Sequence, residues 1–298
     1  MSAMAIRSVG GWAMWAKIRV YGRLIKFSHT IFALPFALAA VLLANRQHPI
    51  TLGTLLLILV AMASARSAAM GFNRLADFHF DRLNPRTAAR PHVAGLVDRG
   101  SVLVFVLISA ALFVACAALL SVTCLILSVP VLAVLCFYSL TKRFTSMSRL
   151  FLGFAIGLAP TGAWIATTGG LDLRVLLLSF ALMSYIAGFD ILYACQDIEF
   201  DREQKLFSIP ACMGVGKALS LSTALHASTA VFLLLVYFAF DLGRIYLVFF
   251  AAICALLFAE HRIVRPECLD NVNIAFFHVN SAISVLLFLG ILAGTWSL

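Results

Sequence analysis

Charged side chains are scarce in this sequence. Only 12% of its 298 residues are Asp, Glu, Lys or Arg, and 63% are hydrophobic, whereas about 25% of a typical soluble domain is charged. The mean hydropathy is +1.03. This composition excludes an ordinary soluble domain and predicts an integral membrane protein. We expect membrane lipid around the chain and no nucleic acid partner.

Paired cysteines and a cleavable leader are lacking as well. The seven cysteines mostly lie in apolar runs, and no two have the C-x-x-C spacing of a zinc or redox site. Near the N-terminus, no small-residue cleavage site follows a short apolar core. We therefore predict a retained first transmembrane helix and not a signal peptide.

Long apolar runs, in contrast, recur along the whole chain. A helix needs about 20 apolar residues to cross the hydrocarbon core, and nine runs qualify: 27–45, 52–72, 102–120, 122–141, 149–167, 175–194, 217–239, 244–260 and 273–294. The sequence therefore predicts an all-α polytopic bundle forming a single domain over residues 1–298.

The positive charges are distributed unevenly between the two predicted sides of the membrane. Eighteen Lys and Arg residues fall on the N-terminal side, and only Arg46, Arg174 and Arg244 fall on the other. Such an excess marks the cytoplasmic side. The long polar segments at 73–101 and 195–216 lie on that side, so we expect the active site to face the cytoplasm.

The first of these polar segments begins with Asn73, Asp77 and Asp81. Residues four apart share one face of a helix, so a helix continuing from the second span would present three oxygen ligands in a row. Neighbouring carboxylates repel each other, and such a row favours a bound cation.

The second polar segment repeats the pattern with Asp190, Asp197 and Asp201, at spacings of seven and four. Seven residues make about two helical turns and eleven about three, so these carboxylates also share a face. Asp190 lies inside the sixth apolar run, where an ionisable side chain is costly and marks a functional site. Glu199 and Glu203 need no such role, because solvation at a helix end explains them.

Two facing carboxylate clusters suit one kind of ligand. Mg²⁺ prefers oxygen ligands and is usually held by a few carboxylates together with substrate phosphates. Tyr138, Lys142 and Arg143, at the end of the fourth span, add donors that suit phosphate oxygens. Taken alone, Lys142 and Arg143 also fit simple positive-inside anchors. The pattern predicts a site for a diphosphate whose apolar remainder stays in the bilayer.

The combined pattern N73-x3-D77-x3-D81, Y138-x3-K142 and D190-x6-D197-x3-D201 resembles the UbiA superfamily of intramembrane prenyltransferases, over nearly the whole chain. The flanks "NPRTAARP" and "YACQDIEFDREQKLFSIPACMG" are similar to its 4-hydroxybenzoate polyprenyltransferase branch. They especially resemble the relatives that prenylate a carboxylated dihydroxynaphthalene in the futalosine route to menaquinone.

This resemblance implies a Mg²⁺-dependent transfer of a polyprenyl group from polyprenyl diphosphate to an aromatic acid, at the inner membrane, in ubiquinone or menaquinone biosynthesis. It implies that the metal ligands are Asn73, Asp77, Asp81, Asp197 and Asp201. The diphosphate would be bound by Lys142, Arg143, Arg82, Arg86, Arg90 and Tyr138. Its departure leaves an allylic carbocation, which requires a dry site.

Asp190 is the candidate to hold or deprotonate the acceptor hydroxyl, although a sixth metal ligand is the alternative. Arg66, two turns deeper than Asn73, is the candidate partner of the acceptor carboxylate, with Tyr193 beside it. Pairing of Arg66 with Asp190 is the competing interpretation, and other cations and donors near the first span are Arg23, Lys26, Ser28 and His29. His79 lies on the opposite side of the helix from Asp77 and Asp81, so we expect it not to be a ligand.

Proteins of two other classes share parts of this pattern. A secondary transporter would also carry intramembrane charge and would explain paired motifs as internal repeats. Its charges would lie at the bilayer midplane, however, whereas these clusters are predicted at helix ends. A structural scaffold would explain the spans but not Asp190.

Overall fold

A computed structural model of the chain describes residues 10–264 and 275–296. Within these residues there is no strand, and nine helical segments are long and apolar enough to cross a membrane. The prediction of an all-α bundle with about nine spans is confirmed. The described part of the predicted ninth span, 273–294, is helical up to Trp296.

The helices follow the apolar runs closely. Their bounds are α1 Gly10–Leu24, α2 Leu34–Asn45, α3 Leu52–Ala76, α4 Phe78–Leu83, α5 Arg99–Leu120, α6 Val122–Thr141, α7 Ser148–Thr168, α8 Val175–Ala194, α9 Ile198–Glu203, α10 Ile209–Met213, α11 Val215–Ala239, α12 Ile245–Ile263 and α13 Asn280–Trp296. Short 3₁₀ helices cover Phe27–Phe32 and Cys195–Asp197, and a π-helix covers Ala275–Val279.

Local sequence explains where several helices begin. The Ser121 side chain accepts a hydrogen bond from the Cys124 amide at 3.1 Å, so one residue is enough to end α5 and cap α6. Asp98 caps α5 in the same way through Ser101. The predicted first span, 27–45, is divided, because a 3₁₀ helix precedes α2 and Pro35 occupies the first turn of α2.

Helix α8 is the centre of the bundle. In the span that contains α8, 72% of the residues in its apolar stretch are buried, against at most 50% in any other described span. Helix α7 packs closely against it because Gly153 has no side chain: a Cβ there would lie 2.5 Å from the Met183 carbonyl oxygen. Gly188 likewise admits the His226 ring of α11. The absence of Cβ atoms lets neighbouring backbones approach.

The topology brings the polar segments to one end of the bundle. Spans that alternate in direction place the ends of α3, α6 and α8 on the same face as the beginning of α7. Both acidic motifs and the Tyr138–Lys142 segment therefore meet at that face.

Candidate active site

A polar cavity of about 230 Å³ opens at this end of the bundle. It is lined by all six motif residues, Asn73, Asp77, Asp81, Asp190, Asp197 and Asp201. Its five aspartates are each at least nine-tenths buried, an arrangement that is costly unless cations compensate the charge. The two motifs, more than a hundred residues apart in sequence, thus line one cavity.

The first motif crosses a helix junction that the sequence did not indicate. Helix α3 ends at Ala76 and α4 begins at Phe78, so the predicted continuous helix is wrong at Asp77. The backbone still bonds in steps of four, from the Asp77 amide to Asn73 O at 2.9 Å and from the Asp81 amide to Asp77 O at 2.8 Å. These bonds keep the three side chains on one side despite the break.

Asp77 lies between an amide and an ammonium group. Its Oδ2 accepts from Asn73 Nδ2 at 3.0 Å and lies 2.8 Å from Lys142 Nζ. Its Oδ1 is buried and has no hydrogen-bond partner among the described residues. One oxygen of this carboxylate therefore remains available to a ligand.

Asp81 is surrounded by basic side chains. Arg90 Nη1 donates to both carboxylate oxygens at 2.6 and 2.7 Å, and His92 Nε2 and Arg74 Nη1 lie 3.1 and 3.8 Å from Oδ2. Burial raises the pKa of Asp81, but the interactions with His92, Arg90 and Arg74 outweigh it and hold that pKa well below its ordinary value. Asp81 is therefore ionised at neutral pH.

Asp197 in the second motif is held from the loop that follows the first. Arg86 donates to both of its oxygens, with Nε 2.9 Å from Oδ1, and Asn84 Nδ2 donates at 3.2 Å. Burial lowers the pKa of Arg86, but the bond to Asp197 outweighs it and raises the pKa above its ordinary value. Arg86 also donates to the Tyr193 hydroxyl at 2.5 Å.

Asp190 pairs with a residue that the sequence did not indicate. Arg149 Nη1, from the first turn of α7, lies 2.6 Å from Asp190 Oδ2. Arg66 instead donates to the Lys26 carbonyl oxygen at 3.1 Å, so the expected alternative pairing of Arg66 with Asp190 is wrong. Arg149 counted in the sequence only as one of many cations on the N-terminal side.

The predicted diphosphate ligands divide into two groups. Lys142, Arg86, Arg90 and Tyr138 line the polar cavity, whereas Arg82 and Arg143 are exposed and do not. Arg82 follows Asp81 directly on α4, and adjacent residues point about 100° apart on a helix. Arg143 donates to the Ala76 carbonyl oxygen at 2.5 Å. The structure therefore removes these two arginines from the lining.

The residues predicted to hold the acceptor lie at the polar cavity, as the sequence predicts. Arg66 and Tyr193 line the cavity, as do Lys26 and His29. Burial and the charges of Arg90, Arg74 and Arg86 lower the pKa of Lys26 to about 8. Arg23 and Ser28 line a separate groove, and His79 is exposed outside the cavity.

An apolar cavity of about 210 Å³ adjoins the polar one. It lies among α3, α5, α6 and α7, and Arg66 is the one charged residue among the described residues that line it. Six residues border both cavities: Ala33, Arg66, Met70, Tyr138, Leu152 and Ile156. A single ligand with a charged head and an apolar tail therefore has contiguous space.

The donor set of the polar cavity suits a hard cation that shares its ligands with a phosphate. Among the described residues, no three His, Cys, Asp or Glu side chains are grouped closely enough to hold a metal ion alone. Carboxylate and amide oxygens are nevertheless the ligands that Mg²⁺ takes, usually few in number and completed by substrate phosphates and water. The buried, unpartnered Asp77 Oδ1 fits such a ligand.

The model of the UbiA prenyltransferase family matches residues 33–282, which is most of the chain. The chain belongs to the UbiA prenyltransferase family. The match covers both acidic motifs and the α-helices that line the two cavities, and it decides between the two membrane-protein classes. The molecule is a membrane-spanning prenyltransferase and not a secondary transporter.

Two curated relatives of this UbiA-family enzyme carry the same name. The 4-hydroxybenzoate octaprenyltransferase of Photobacterium profundum is 28% identical over 92% of this chain and 96% of its own length. The enzyme of the same name from Chromohalobacter salexigens is also 28% identical, over 82% of this chain and 81% of its own.

Solved structures of UbiA homologues share the fold. The apo homologue from Aeropyrum pernix superposes with a TM-score of 0.81 at 34% identity, covering 90% of this chain and 98% of that one. A homologue from Archaeoglobus fulgidus bound to GPP and Mg²⁺ gives a TM-score of 0.68 at 21% identity, over 92% and 99% of the two chains. At that identity the second likeness shows the fold alone.

Proposed function

We propose that this UbiA-family enzyme transfers a polyprenyl group from polyprenyl diphosphate to an aromatic acid of the 4-hydroxybenzoate type, as a membrane step of ubiquinone or menaquinone biosynthesis. The observation that carries the proposal is the pair of adjoining cavities, one lined by carboxylates and cations and the other apolar. An amphipathic diphosphate matches both. The names of the curated relatives support the acceptor class.

The diphosphate end belongs in the polar cavity. Asn73, Asp77, Asp81, Asp197 and Asp201 would hold Mg²⁺, which supplies positive charge that neutralises the diphosphate as a leaving group. The protein adds the cations of Lys142, Arg86 and Arg90, which already line the cavity. Arginine binds phosphate oxygens bidentately and lysine as a point charge.

These cations have a second role when no substrate is present. Lys142, Arg90 and Arg86 each pair with a motif carboxylate, Asp77, Asp81 and Asp197 respectively. Five buried carboxylates would otherwise repel one another strongly in a medium of low dielectric constant. An entering diphosphate offers the same cations new oxygen partners without requiring them to leave the cavity.

Bond cleavage leaves an allylic cation that water would destroy. Phe32, Phe80, Phe189, Tyr193 and Phe200 line the polar cavity. Their rings exclude water, and their π faces attract positive charge. The diphosphate leaves with the electron pair of the broken C–O bond, and the acceptor carbon ortho to the hydroxyl then attacks the cation to form the new C–C bond.

The acceptor must finally lose a proton. Asp190, buried and paired with Arg149, would accept the hydroxyl proton while the ring carbon attacks. The ring carbon then loses its own proton to the released diphosphate, and Asp190 returns the first proton to the acceptor oxygen, which restores the aromatic phenol. Arg66, on the wall shared by the two cavities, would bind the acceptor carboxylate, with Tyr193 beside the ring. The 18-to-3 distribution of Lys and Arg supports an inner-membrane protein whose site faces the cytoplasm.

Product formation in reconstituted vesicles tests this proposal. Purified protein receives a polyprenyl diphosphate, Mg²⁺ and radiolabelled 4-hydroxybenzoate, or in parallel a carboxylated dihydroxynaphthalene. We expect Mg²⁺-dependent, lipid-extractable label from 4-hydroxybenzoate. Label from the naphthalene acid alone assigns the futalosine-route reaction instead. No product from either acid, in protein that is folded by circular dichroism, contradicts the proposed acceptor class.

A further inference from the structure

Helix α1 and the turn after it form an exposed groove outside the polar cavity. Its lining is Arg19, Gly22, Arg23, Lys26, Phe27 and Ser28, and we name it the basic groove. It lies at the face of the bundle where the first span begins, which is also the face of the candidate active site. None of its residues except Lys26 lines the polar cavity.

The cations of the basic groove differ from those of the active site in their partners. Arg86, Arg90 and Arg149 each pair with a carboxylate. Within residues 10–264 and 275–296, no ion pair involves a side chain of the basic groove. Helix α1 also contains no acidic residue. Within the part of the chain that the structure describes, Arg19 and Arg23 therefore have no carboxylate partner, which leaves their charge available to an anionic ligand.

The apolar surroundings of the groove indicate a membrane surface. Met14, Trp15 and Ile18, on the same helix, are 61%, 64% and 54% exposed, and Phe27 at the groove is 52% exposed. Trp is enriched where a protein meets the headgroup layer. An apolar stripe beside basic side chains is the pattern of a helix that lies in the membrane interface.

The opposite side of α1 is fixed to the bundle. Leu24 is buried against Val97 and Val102, and the Tyr21 ring lies 5.0 Å from that of Phe105 on α5. Because Tyr21 and Leu24 pack against the bundle, the face of α1 that carries Trp15 and Ile18 points away from it. A Cβ on Gly22 would meet nothing within 4 Å, so the floor of the groove between the two arginines is open.

We infer that the basic groove binds the headgroup of an anionic phospholipid, with Arg19 and Arg23 facing the phosphate. Arg19 and Arg23 are four residues apart and so adjoin on one face of α1, and Lys26 follows at the next turn. Trp15, Ile18 and Phe27 contact the glycerol and upper acyl region of the same lipid. Lys26 then connects the lipid site to the polar cavity.

Lipid selectivity tests the inference without any substrate. The protein is reconstituted in phosphatidylcholine with a trace of spin-labelled phosphatidylglycerol or spin-labelled phosphatidylcholine, and electron paramagnetic resonance measures the fraction of motionally restricted label. We expect the wild-type protein to prefer phosphatidylglycerol at least about fivefold, which is the effect of one basic residue near an anionic lipid surface. Arg19→Gln with Arg23→Gln should remove most of that preference.

The matched control is Lys205→Gln with Lys217→Gln. Both lysines are exposed and lie on the predicted cytoplasmic side. Replacing them removes two positive charges, the same number as the Arg19→Gln and Arg23→Gln variant removes. We expect this double variant to keep its preference for phosphatidylglycerol. Equal association of the two lipids with the wild type, or equal losses in the two double variants, would overturn the inference.

A second experiment distinguishes a lipid-binding groove from one that binds the diphosphate of the substrate. Millimolar inorganic pyrophosphate is added to the wild-type protein with spin-labelled phosphatidylglycerol bound. We expect no displacement, because the apolar contacts of Trp15, Ile18 and Phe27 favour a lipid. Full displacement would assign the groove to the diphosphate and contradict the lipid inference. Either result is independent of whether the enzyme prenylates 4-hydroxybenzoate.

Discussion

The polar and apolar cavities are nearly equal in size, at about 230 and 210 Å³, and opposite in chemistry. The polar one contains both acidic motifs and the cations that neutralise them, whereas the apolar one has a single charged residue, Arg66, in its described lining. They share helices α3, α6 and α7, so the difference depends on depth along the same helices. The polar cavity lies at the helix ends that carry the acidic motifs, and the apolar cavity extends from there along the helices toward the opposite face.

This division suits a reaction that separates charge next to a lipid. A charge in mid-membrane is costly, so the groups proposed to neutralise the diphosphate lie where the helices end. The proposed isoprenoid tail needs only apolar surface, which the lining of the apolar cavity provides. Substitutions in the two cavities should therefore affect different steps.

The largest effect should follow from Asp77→Asn in the polar cavity. The change removes a negative charge from a buried oxygen pair whose Oδ1 has no hydrogen-bond partner. We expect kcat/KM for prenyl transfer to fall by about 10²-fold or more, as when a group that stabilises transition-state charge is lost. The control is Asp172→Asn, which pairs with Arg174 between α7 and α8 at the other face. Similar losses in both variants would contradict the site assignment.

A smaller effect should follow from replacing Arg86, which extends from the loop after the first motif to Asp197 in the second. Arg86→Ala removes the partner of Asp197 and Tyr193, and we expect a loss of about 10- to 100-fold, typical of residues that orient metal ligands. Arg82→Ala, four residues earlier and exposed, should stay within about twofold of the wild type. Steady-state rates at saturating Mg²⁺ measure both. A larger loss in Arg82→Ala than in Arg86→Ala would contradict the lining described above.

Filling the apolar cavity should change chain-length preference and spare the chemistry. Gly162 lines that cavity, and a Cβ there would contact nothing within 4 Å. With Gly162→Leu we expect kcat/KM for a long polyprenyl diphosphate to fall about tenfold. The rate with geranyl diphosphate should hold within about threefold. Phe154→Trp, on the exposed side of the same helix, controls for added bulk, and an equal fall for both chain lengths would place the long tail elsewhere.

The smallest effect concerns the pH profile. Because the pKa of Lys26 is lowered to about 8 by burial and neighbouring arginines, its positive charge is lost as the pH rises through that value. Lys26 lines the polar cavity and so adds to the positive charge around the proposed diphosphate. We therefore expect the apparent affinity for the diphosphate to weaken several-fold between about pH 7 and pH 9. Lys26→Arg, which stays charged, should flatten this limb of KM against pH. An unchanged profile in that variant would exclude Lys26 from diphosphate binding.

The sequence predicted the helices well where apolar length alone decides them. The sixth run, 175–194, agrees with α8 at both ends. The second apolar run ends at residue 72, and the helix continues beyond it as the spacing of the first motif predicts, but only to Ala76 and not without a break through Asp81. The 3₁₀ segment before α2 was missed because hydropathy does not distinguish helix types.

For the site, spacing predicted the carboxylates but not their partners. A period of four places Asn73, Asp77 and Asp81 together whatever the rest of the chain does. The pairs Arg149 with Asp190 and Arg86 with Asp197 span 41 and 111 residues, and no local pattern encodes such a contact. His92, buried beside Asp81, could have been noticed only as a histidine in an arginine-rich loop.

The missing side chain at Gly153 determines how closely α7 approaches α8, and therefore how Arg149 meets Asp190. Gly153 lies one turn after Arg149, and its close contact with the α8 backbone at Met183 holds Arg149 in register with Asp190. A larger residue at position 153 would push α7 away from α8 and part the two charges, whereas one at position 188 would meet the His226 ring of α11. The distance between these two charges therefore depends on a side chain that is absent one helical turn away.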